Sequence, residues 1–432
     1  MVMIPHQPHT PPTDNAAAQP DWSLAWALRA AAGQSPLAPA WRYDGQRLNF
    51  AELWQQIEQQ AGTPAAGMPA TLTPVTGDAA TLALGAYVAS LRNRPFFPVD
   101  RSTPAPTPPD YRDLPPDTAL LIATSGSEGE PKAIALTRRQ LAAASDGANE
   151  RLGLRHGDVW LACLPLCHIG GQSILWRCAR AGATLSLHDG FKRDAVIADL
   201  HAGEVTHISL VPAMLAQLLD AACSPPPSLR VALIGGAALP PALHTRALAA
   251  GWPLWPSYGM TETAAMVACF GPGEPWQAGD VGNLLPGHTA RVDADGRLHL
   301  HGPQLPDDHW LRTGDLGTIA ADGRLRILGR ADDMLISAGR NVHPATVEAC
   351  LAGLPGVREI AVCGRPDPVW GDRIVAVVVG EISDDTLIAH ARAHLPAAAI
   401  PRTVLRVPSL PRTVAGKPDR RAIRQWVNEA PQ

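Results

Sequence analysis

The chain has 432 residues, of which 46% are hydrophobic and 18% charged, with a formal net charge of -4. This composition is typical of globular proteins, and the length exceeds that of one ordinary core, so two or three domains are expected. The small charge, with both signs interspersed, gives no reason to expect a nucleic-acid partner, and no apolar stretch reaches the roughly 18 residues of a membrane span.

The first 20 residues carry no lysine or arginine before an apolar segment, so we predict a flexible tail and no signal peptide. The seven cysteines form no CxxC pair and their number is odd, which favours reduced thiols and a cytoplasmic location. Cys163, Cys167 and His168 lie close together in the segment CLPLCH. A metal site there would need ligands from elsewhere, so we interpret these residues as small buried groups.

Short apolar segments alternate with helical patterns through the first two thirds of the chain. TALLIAT at 118–124 predicts a buried strand, and Thr137 is placed to cap the helix that follows. Two more strands are predicted at 206–211 and 230–236, each with a helix after it, and Pro212 opens the first of these helices. This alternation indicates an α/β fold with mainly parallel sheets sandwiched by helices.

The pattern changes near residue 280. Segments 292–302 and 319–329 each place an Asp-Gly pair between alternating residues, which predicts β-hairpins. After Asp332 the pattern is that of a small α+β unit. The predicted domains are a flexible tail (1–20), a large domain with a β-rich subdomain (21–331) and a small mobile C-terminal domain (332–432).

Residues 124–132, TSGSEGEPK, combine hydroxyls, glycines and a lysine after a predicted strand. Glycines let backbone N–H groups converge on an anion, so we predict a phosphate-binding loop between a strand and a helix. It is not a P-loop of the GxxxxGK[ST] type, because Lys132 follows Pro131 and no serine or threonine comes next. Taken alone, the segment is equally compatible with a Ser/Gly-rich surface turn.

Four further segments follow in order. SYGMTETA offers an aromatic ring, a glycine, a hydroxyl and a carboxylate, a set that can stack on a base, bind phosphate and hold magnesium. LRTGDLG sets Asp315 between glycines, where its carboxylate can accept hydrogen bonds from two ribose hydroxyls. GRADDMLISAG supplies Arg330 and Asp332, and AGKPDRR leaves Lys417 on a Gly-Lys-Pro turn.

With these five motifs in order, the chain resembles the adenylate-forming superfamily of acyl-CoA synthetases, nonribosomal-peptide adenylation domains and luciferases, over roughly residues 20–430. The resemblance implies that a carboxylic acid and ATP give an acyl-adenylate and pyrophosphate. A thiol, usually that of coenzyme A, then takes the acyl group and releases AMP. Activation divides one hard step into two easier ones. The implied cofactors are ATP, Mg2+ and coenzyme A as co-substrate.

The resemblance also implies roles for matching residues. Lys417 corresponds to the lysine that bridges the attacking carboxylate and the α-phosphate, where charge builds up in the transition state. Glu262 corresponds to the magnesium ligand, Thr261 to the α-phosphate contact and Asp332 to the hinge of the small domain. The other implied nucleotide contacts are Thr124, Ser125, Gly126, Ser127, Gly129 and Lys132 at the phosphates, Gly235, Gly236 and Ala237 beside adenine and the acyl group, Tyr258 and Gly259 at adenine, and Asp315 and Arg330 at the ribose.

Two residues depart from the family pattern. Glu128 stands where the family usually has a hydroxyl, and a carboxylate facing a triphosphate is repelled unless magnesium or Lys132 lies between. Glu128 either points to solvent, helps to hold magnesium or marks an impaired loop. Arg340 replaces a glutamate common in acyl-CoA ligases and leaves the thiol acceptor open, while Gly339 matches the glycine that lets the pantetheine arm pass.

The segment from Leu164 is the most informative about the acid. His168 corresponds to a residue that borders and gates the acyl site, although it could also simply start a helix. HIGGQSILWR resembles a segment of o-succinylbenzoate–CoA ligases, and no aspartate for a substrate amine is evident, so an amino acid is disfavoured. Besides His168, the predicted substrate residues are Gly170, Gln172, Ser209, Val211, Met214, Gly235 and Met260. Such a surface suits an aromatic or medium acyl acid.

Three functions remain open from the sequence. The first is a cytoplasmic acid–CoA ligase for an aromatic carboxylate, as a monomer or homodimer. The second is a ligase that loads the phosphopantetheine of an acyl carrier protein, which Arg340 permits. The third is a binding protein that kept the fold and lost catalysis, for which Glu128 is the only support.

Overall fold

The computed structural model describes residues 22–62, 72–101, 107, 109–124, 132–306, 309–413 and 418–430. Its helices are α1 (Leu24–Gln34), α2 (Phe50–Ala61), α3 (Ala79–Leu91), α4 (Arg138–Leu152), α5 (Ile169–Ala181), α6 (Arg193–His201), α7 (Pro212–Asp220), α8 (Pro241–Ala249), α9 (Pro344–Leu351), α10 (Asp384–His394) and α11 (Arg420–Glu429). Its first strands are β1 (Pro39–Tyr43), β2 (Gln46–Asn49), β3 (Thr118–Thr124), β4 (Lys132–Thr137), β5 (Val159–Ala162), β6 (Thr184–Leu187), β7 (His207–Leu210), β8 (Val231–Ile234), β9 (Leu254–Met260) and β10 (Ala265–Cys269). The later strands are β11 (Asp280–Leu284), β12 (Thr289–Val292), β13 (Arg297–His301), β14 (Leu311–Ile319), β15 (Leu325–Arg330), β16 (Leu335–Ser337), β17 (Arg340–Val342), β18 (Val357–Asp367), β19 (Gly371–Gly380) and β20 (Thr403–Arg406).

Within these ranges, one sheet follows the order β12-β13-β14-β15-β11-β10-β9-β8-β7-β5-β6-β1-β2. Its strands from β9 to β1 pair in parallel, and those from β9 to β12 pair antiparallel. The parallel part is the expected α/β layer, and the antiparallel part is the β-rich subdomain. The predicted α/β fold class is therefore confirmed.

The parallel strands are buried on both faces, which explains their nearly continuous apolar sequences. Along β5, Trp160 packs into a core shared with helices α1 to α5, whereas Leu161 packs into a second core shared with α6 to α8. Successive side chains of a strand point to opposite faces, so one short strand serves both cores.

Most of the local predictions are confirmed. β3 begins and ends at the predicted residues, and the Oγ1 of Thr137 accepts a hydrogen bond from the Gln140 backbone N–H (3.2 Å) as the N-cap of α4. Pro212 opens α7, where its missing N–H and fixed φ are suited to the first helical position. Both Asp-Gly segments form antiparallel hairpins, β12–β13 and β14–β15.

One prediction about the phosphate loop is wrong: the loop does not lead from a strand into a helix. Residues 132–137 form β4, which pairs antiparallel with β3 so that Thr124 lies opposite Lys132. The residues after Lys132 are apolar and partly buried because they form this second strand, which ends at Thr137, the N-cap residue of α4. The loop therefore joins the two strands of a hairpin.

The chain from Leu335 onward builds a second sheet, in the order β17-β16-β19-β18 with β20 beside β19. Val347 and Leu387, from α9 and α10, pack on one face of this sheet, and Ile423 of α11 packs on the other. The domain boundary at Asp332 stays a prediction. Across the described ranges, every helix falls short of the length and hydrophobicity that a membrane crossing requires.

His207 is a titratable residue buried inside the main sheet. Its ring stacks on Trp160 with 5.2 Å between centroids, and its Nδ1 lies 2.8 Å from the Oγ1 of Thr206. Burial lowers the pKa of His207 to about 4. The folded protein therefore holds the His207 imidazole neutral at pH values where the same imidazole in the unfolded chain is protonated.

We expect this histidine to make folding stability depend on pH. In the unfolded chain the pKa of histidine is near 6.5, so above that pH the buried neutral His207 costs no stability. As the pH falls toward 4, the free energy of unfolding is expected to fall by up to about 3 kcal/mol, because only the unfolded histidine takes up a proton. His207→Gln should flatten the change in the free energy of unfolding between pH 7 and 4.5, measured by urea titration. Equal slopes for variant and wild type would contradict this account.

Candidate active site

The carboxyl ends of β5, β7, β8 and β9 meet at one edge of the main sheet. The backbone N–H of Gly235 donates to the Leu210 carbonyl (3.2 Å), and the Oγ of Ser257 donates to the Ile234 carbonyl (3.0 Å), so the ends of β7, β8 and β9 are tied together. In open α/β sheets ligands bind outside the carboxyl ends of the strands. This edge, which carries His168, Gly235 and Met260, is the candidate active site.

The phosphate loop begins and ends beside this edge. The Oγ1 of Thr124 donates to the Lys132 carbonyl (3.1 Å), which closes the hairpin at the base of the loop. β4 contacts the 3-10 turn Thr261–Thr263 that directly follows β9. Ser125, Gly126, Ser127, Glu128 and Gly129 lie outside the described residues, so the roles predicted for them remain predictions.

The Thr261–Thr263 turn is held by buried polar groups that the sequence did not single out. The Oγ1 of Thr263, which is fully buried, accepts from the Met260 backbone N–H (2.9 Å) and lies 2.7 Å from the Ala265 carbonyl. The side-chain amide of Gln304, also fully buried, donates to the carbonyls of Thr263 (2.5 Å) and Met266 (2.9 Å). Unpaired buried polar groups are costly, so these bonds fix the turn that presents Thr261 and Glu262.

The turn leaves Glu262 suited to a metal ion. Its carboxylate is half-buried and forms no ion pair with another residue in the described ranges. Carboxylate oxygen is a ligand that Mg2+ accepts together with substrate phosphates and water. The residues present therefore fit a magnesium ion held by Glu262, and that role stays a prediction.

Gly259 is required by the close approach of two strands. A Cβ atom at this position would lie 2.0 Å from the Ala265 carbonyl oxygen, which belongs to the backbone of β10 and cannot move alone.

We expect Gly259→Ala to lower the melting temperature by several degrees and to abolish activity, as followed by thermal unfolding and ligase assay. Gly33→Ala, in open space on α1, is the control and should be neutral or stabilising. A Gly259→Ala enzyme of normal stability and activity would refute the steric argument.

The residues predicted at adenine and ribose form one hydrogen-bonded group. The hydroxyl of Tyr258 donates to the Oδ2 of Asp315 (2.6 Å), and the guanidinium of Arg330 lies 3.8 Å from the other carboxylate oxygen. Burial, followed by the charge of Asp315, raises the pKa of the Tyr258 phenol, so it stays a proton donor at neutral pH. The Asp315 carboxylate is thus oriented by neighbours on two other strands, and its contact with ribose stays a prediction.

Arg330 also contacts the predicted hinge. Its Nε donates to the Oδ1 of Asp332 (2.9 Å) and its Nη2 donates to the Oδ2 (3.2 Å), and these hydrogen bonds raise the pKa of Arg330. Burial alone would raise the pKa of Asp332, but the hydrogen bonds and positive charge of Arg330, together with a backbone hydrogen bond and the charge of Arg297, lower that pKa overall. A Cβ at Gly314 would lie 2.4 Å from the guanidinium, so this glycine makes room for the arginine.

Three of the predicted substrate residues lie at the start of α5 or within it. His168 is its N-cap residue without a side-chain cap bond, so the helix-starting position is confirmed and the acyl-gating role stays a prediction. Gln172 is fully buried and its side-chain amide donates to the Leu166 carbonyl (2.7 Å). Gly170 lies between them, next to Leu164.

The other predicted substrate residues lie at or near the ends of neighbouring strands. Ser209, within β7, accepts a hydrogen bond from the indole N–H of Trp160 (3.2 Å). Val211 and Met214 are buried at the start of α7, and Met260 ends β9. Gly236 and Ala237 follow β8. The structure therefore brings these positions to the same edge, and their contacts with substrate remain predictions.

Arg177 is a functional candidate that the sequence did not reveal. Its guanidinium is buried, lies 5.3 Å above the Trp160 ring and forms no ion pair with a carboxylate in the described ranges. Burial lowers its pKa to about 10, so it remains charged at neutral pH. The HIGGQSILWR pattern contains this arginine but does not reveal that it is buried without a carboxylate partner among the described residues. A buried charge lacking a counterion is rare unless a ligand supplies one.

The C-terminal motifs are described in part. Ala338 (φ 49°) and Gly339 (φ 69°) form the two-residue turn between β16 and β17, where a left-handed backbone favours glycine. Arg340 follows and is exposed. Lys417 lies outside the described residues, although Arg412 and Pro418 pair across the base of its loop. The roles of Gly339 and Lys417 stay predictions.

The chain also matches known proteins. The AMP-binding enzyme family matches residues 76–305, and the C-terminal domain of AMP-binding enzymes matches residues 346–417. The chain belongs to the AMP-binding enzyme family. A 2-succinylbenzoate–CoA ligase of Bacillus cereus is 33% identical over 341 residues, which cover 72% of this chain and 71% of that protein.

Two solved structures from Bacillus subtilis are also similar to this chain. The o-succinylbenzoate CoA synthetase in complex with the acyl-adenylate intermediate OSB-AMP has a TM-score of 0.80 at 26% identity, over 96% of this chain and 99% of that one. The same enzyme with ATP and magnesium has a TM-score of 0.78 at 26% identity, over 93% and 99% of the two chains. The resemblance inferred from the motifs is confirmed, and the chain is an AMP-forming acid–thiol ligase.

Proposed function

We propose that this AMP-binding enzyme activates o-succinylbenzoate with ATP and Mg2+ and transfers the acyl group to coenzyme A. Similar proteins carry that acid in their names, and one of them was solved with its acyl-adenylate. The observation in this chain that carries the proposal is the buried Arg177, which has no carboxylate partner in the part of the chain that the structure describes.

The charge of the substrate explains why such an arginine is useful. o-Succinylbenzoate has one carboxylate on its succinyl chain and another on its ring, and only one of them becomes the adenylate. The remaining carboxylate keeps its charge inside the site, where an unpaired anion would be costly. Arg177 shares a cluster with Trp160 and, through the Trp160 indole, with Ser209 at the predicted substrate edge. We assign it to the second carboxylate, which a guanidinium matches in a bidentate way.

The first half-reaction then follows from the site. Asp315, oriented by Tyr258, holds the ribose hydroxyls, and Thr261 contacts the α-phosphate. A bound magnesium ion, held by Glu262, would neutralise phosphate charge. The acid's carboxylate oxygen attacks the α-phosphorus, the bond from that phosphorus to the bridging oxygen breaks, and pyrophosphate leaves. Lys417 neutralises the charge shared by the attacking oxygen and the α-phosphate.

In the second half-reaction a thiol replaces AMP. The thiolate sulfur attacks the acyl carbon, the bond from that carbon to the AMP oxygen breaks, and AMP leaves with the electron pair. We propose coenzyme A as the acceptor, because the relatives are named for it. The phosphopantetheine of a carrier protein is the alternative acceptor, which the exposed Arg340 permits. A cytoplasmic location, favoured by the free thiols, belongs to the same proposal.

The test is the identity of the product. Purified enzyme is supplied with ATP, Mg2+ and o-succinylbenzoate, and with either coenzyme A or a phosphopantetheinylated carrier protein, and the thioesters are identified by mass spectrometry. We expect o-succinylbenzoyl-CoA and stoichiometric AMP. Acylated carrier protein without acyl-CoA would overturn the acceptor, and thioester formation only with other acids would overturn the substrate.

A further inference from the structure

Asp333 lies at the centre of a cluster of charged residues in the C-terminal part of the chain. Its carboxylate is 3.2 Å from a guanidinium nitrogen of Arg424 and 3.6 Å from the Nε of Arg420. Both arginines belong to α11, and Asp333 belongs to the segment before β16. The start of the C-terminal sheet and the last described helix are therefore joined by two ion pairs.

Arg420 is held more firmly than a surface arginine. It donates to the Oε2 of Glu348 (2.8 Å) and to the Val362 carbonyl (3.2 Å), and the Oε1 of Glu348 accepts from the Val362 backbone N–H (2.7 Å). Burial opposes the charge of Arg420, but the carboxylates of Glu348 and Asp333 raise its pKa. The guanidinium thus links α9, β18, α11 and Asp333, a geometry that its planar fork permits and a lysine cannot reproduce.

Two residues with proposed functional roles, Asp332 and Lys417, lie next to this cluster along the chain. Asp333 directly follows the predicted hinge residue Asp332, and Arg420 comes three residues after Lys417. The base of the Lys417 loop is closed by the pairing of Arg412 with Pro418, and Asp419 caps α11 by accepting from the Arg421 and Ala422 backbone. Arg420 follows Asp419 directly and, within the described residues, is the first residue after the loop to form ion pairs with other elements.

We propose that Arg420 is a positioning residue for the adenylation step, because the Asp333–Arg420–Glu348 cluster fixes the base of the Lys417 loop to the segment next to the hinge. Asp333 and α11 are thus joined to each other on the C-terminal side of Asp332, and α11 begins three residues after the lysine in the sequence. This inference rests on the proposed roles of Lys417 and Asp332. A misplacement of about 1 Å can cost roughly 100-fold in rate, so weakening the cluster is expected to act on the rate of adenylation.

The test separates the two half-reactions in the full chain. Arg420→Gln is expected to lower kcat for o-succinylbenzoate-dependent ATP–pyrophosphate exchange by about 10- to 100-fold, with KM for ATP changed less than about threefold. Thioester formation from supplied acyl-adenylate should change less than about threefold. Arg420→Lys should recover only part of the exchange rate. Arg421→Gln, which removes an exposed charge from the next position of α11, is the matched control and should behave as wild type.

A purely structural role would give a different result. Arg420→Gln would then lower both half-reactions in parallel with the melting temperature, and that outcome overturns the inference. If Arg420→Gln fails to fold, Asp333→Asn supplies the same comparison, because it preserves the bonds from Arg420 to Glu348 and Val362. Lys417→Ala is measured alongside. If exchange is lost in Lys417→Ala but is normal in the Arg420 and Asp333 variants, the inference about Arg420 is wrong and the role of the lysine stands. If exchange is normal in Lys417→Ala, the proposed role of the lysine is wrong.

Discussion

Replacing Lys417 by alanine is expected to abolish carboxylate-dependent ATP–pyrophosphate exchange while sparing thioester formation from a supplied acyl-adenylate. In the first half-reaction two anions, the acid and the α-phosphate, must approach each other, and the ammonium group offsets the charge that concentrates between them. Removing a group that stabilises developing charge costs on the order of 10²- to 10³-fold in kcat. In the second half-reaction the α-phosphate is already esterified, so this contribution is absent. Exchange and thioester formation are measured separately on the same preparation.

The matched control for this variant is Lys192→Ala. Lys192 is exposed at the start of α6, so its removal changes net charge by the same amount without touching the candidate site. We expect both half-reactions of this control to match wild type. An equal loss of the two half-reactions in Lys417→Ala would show that the lysine does not have the assigned role.

Replacing Arg177 by methionine is the second change with a large expected effect. Loss of a buried charged partner typically costs 2–5 kcal/mol of binding, so kcat/KM for o-succinylbenzoate is expected to fall by about 100-fold or more. The free enzyme should keep or gain stability, because an unpaired buried charge is replaced by an apolar side chain of similar length. Pyrophosphate exchange and thermal unfolding are measured on wild type and variant.

A second acid separates recognition from general damage. 3-Benzoylpropionate is o-succinylbenzoate without the ring carboxylate, so the wild type should strongly prefer the dicarboxylate and Arg177→Met should lose most of that preference. Arg177→Lys is expected to lie between the two. If the variant lost stability and lost activity equally with both acids, Arg177 would be a structural residue and the assignment to the second carboxylate would be wrong.

Much of the fold was predictable because local signals and tertiary structure agree. Thr137 caps α4 and Pro212 opens α7, since both depend on chemistry within a few residues. The Asp-Gly hairpins follow from the same kind of local preference. The hairpin partner of β3 was missed, because its short apolar segment leads directly into the cap of α4 and can be read as part of the loop.

The candidate site was predictable only where a motif carries it. Glu262 and Asp315 were found because each lies in a short pattern with a specific chemistry. Gln304 lies in no motif, and Arg177 ends the HIGGQSILWR pattern without being assigned a role there. The importance of both lies in their burial and in contacts with residues more than ten positions away. Pairings of that kind, like that of Asp333 with Arg420, depend on tertiary structure and leave no periodic signal.

The most direct test of the proposed activity is ATP–pyrophosphate exchange in the absence of coenzyme A, with o-succinylbenzoate as the acid. We predict exchange that requires the acid and Mg2+ and that is much weaker with 3-benzoylpropionate. Such exchange can arise only if the acyl-adenylate forms reversibly on the enzyme. An enzyme that binds ATP yet shows no exchange with o-succinylbenzoate would contradict the proposed substrate and the site built around it.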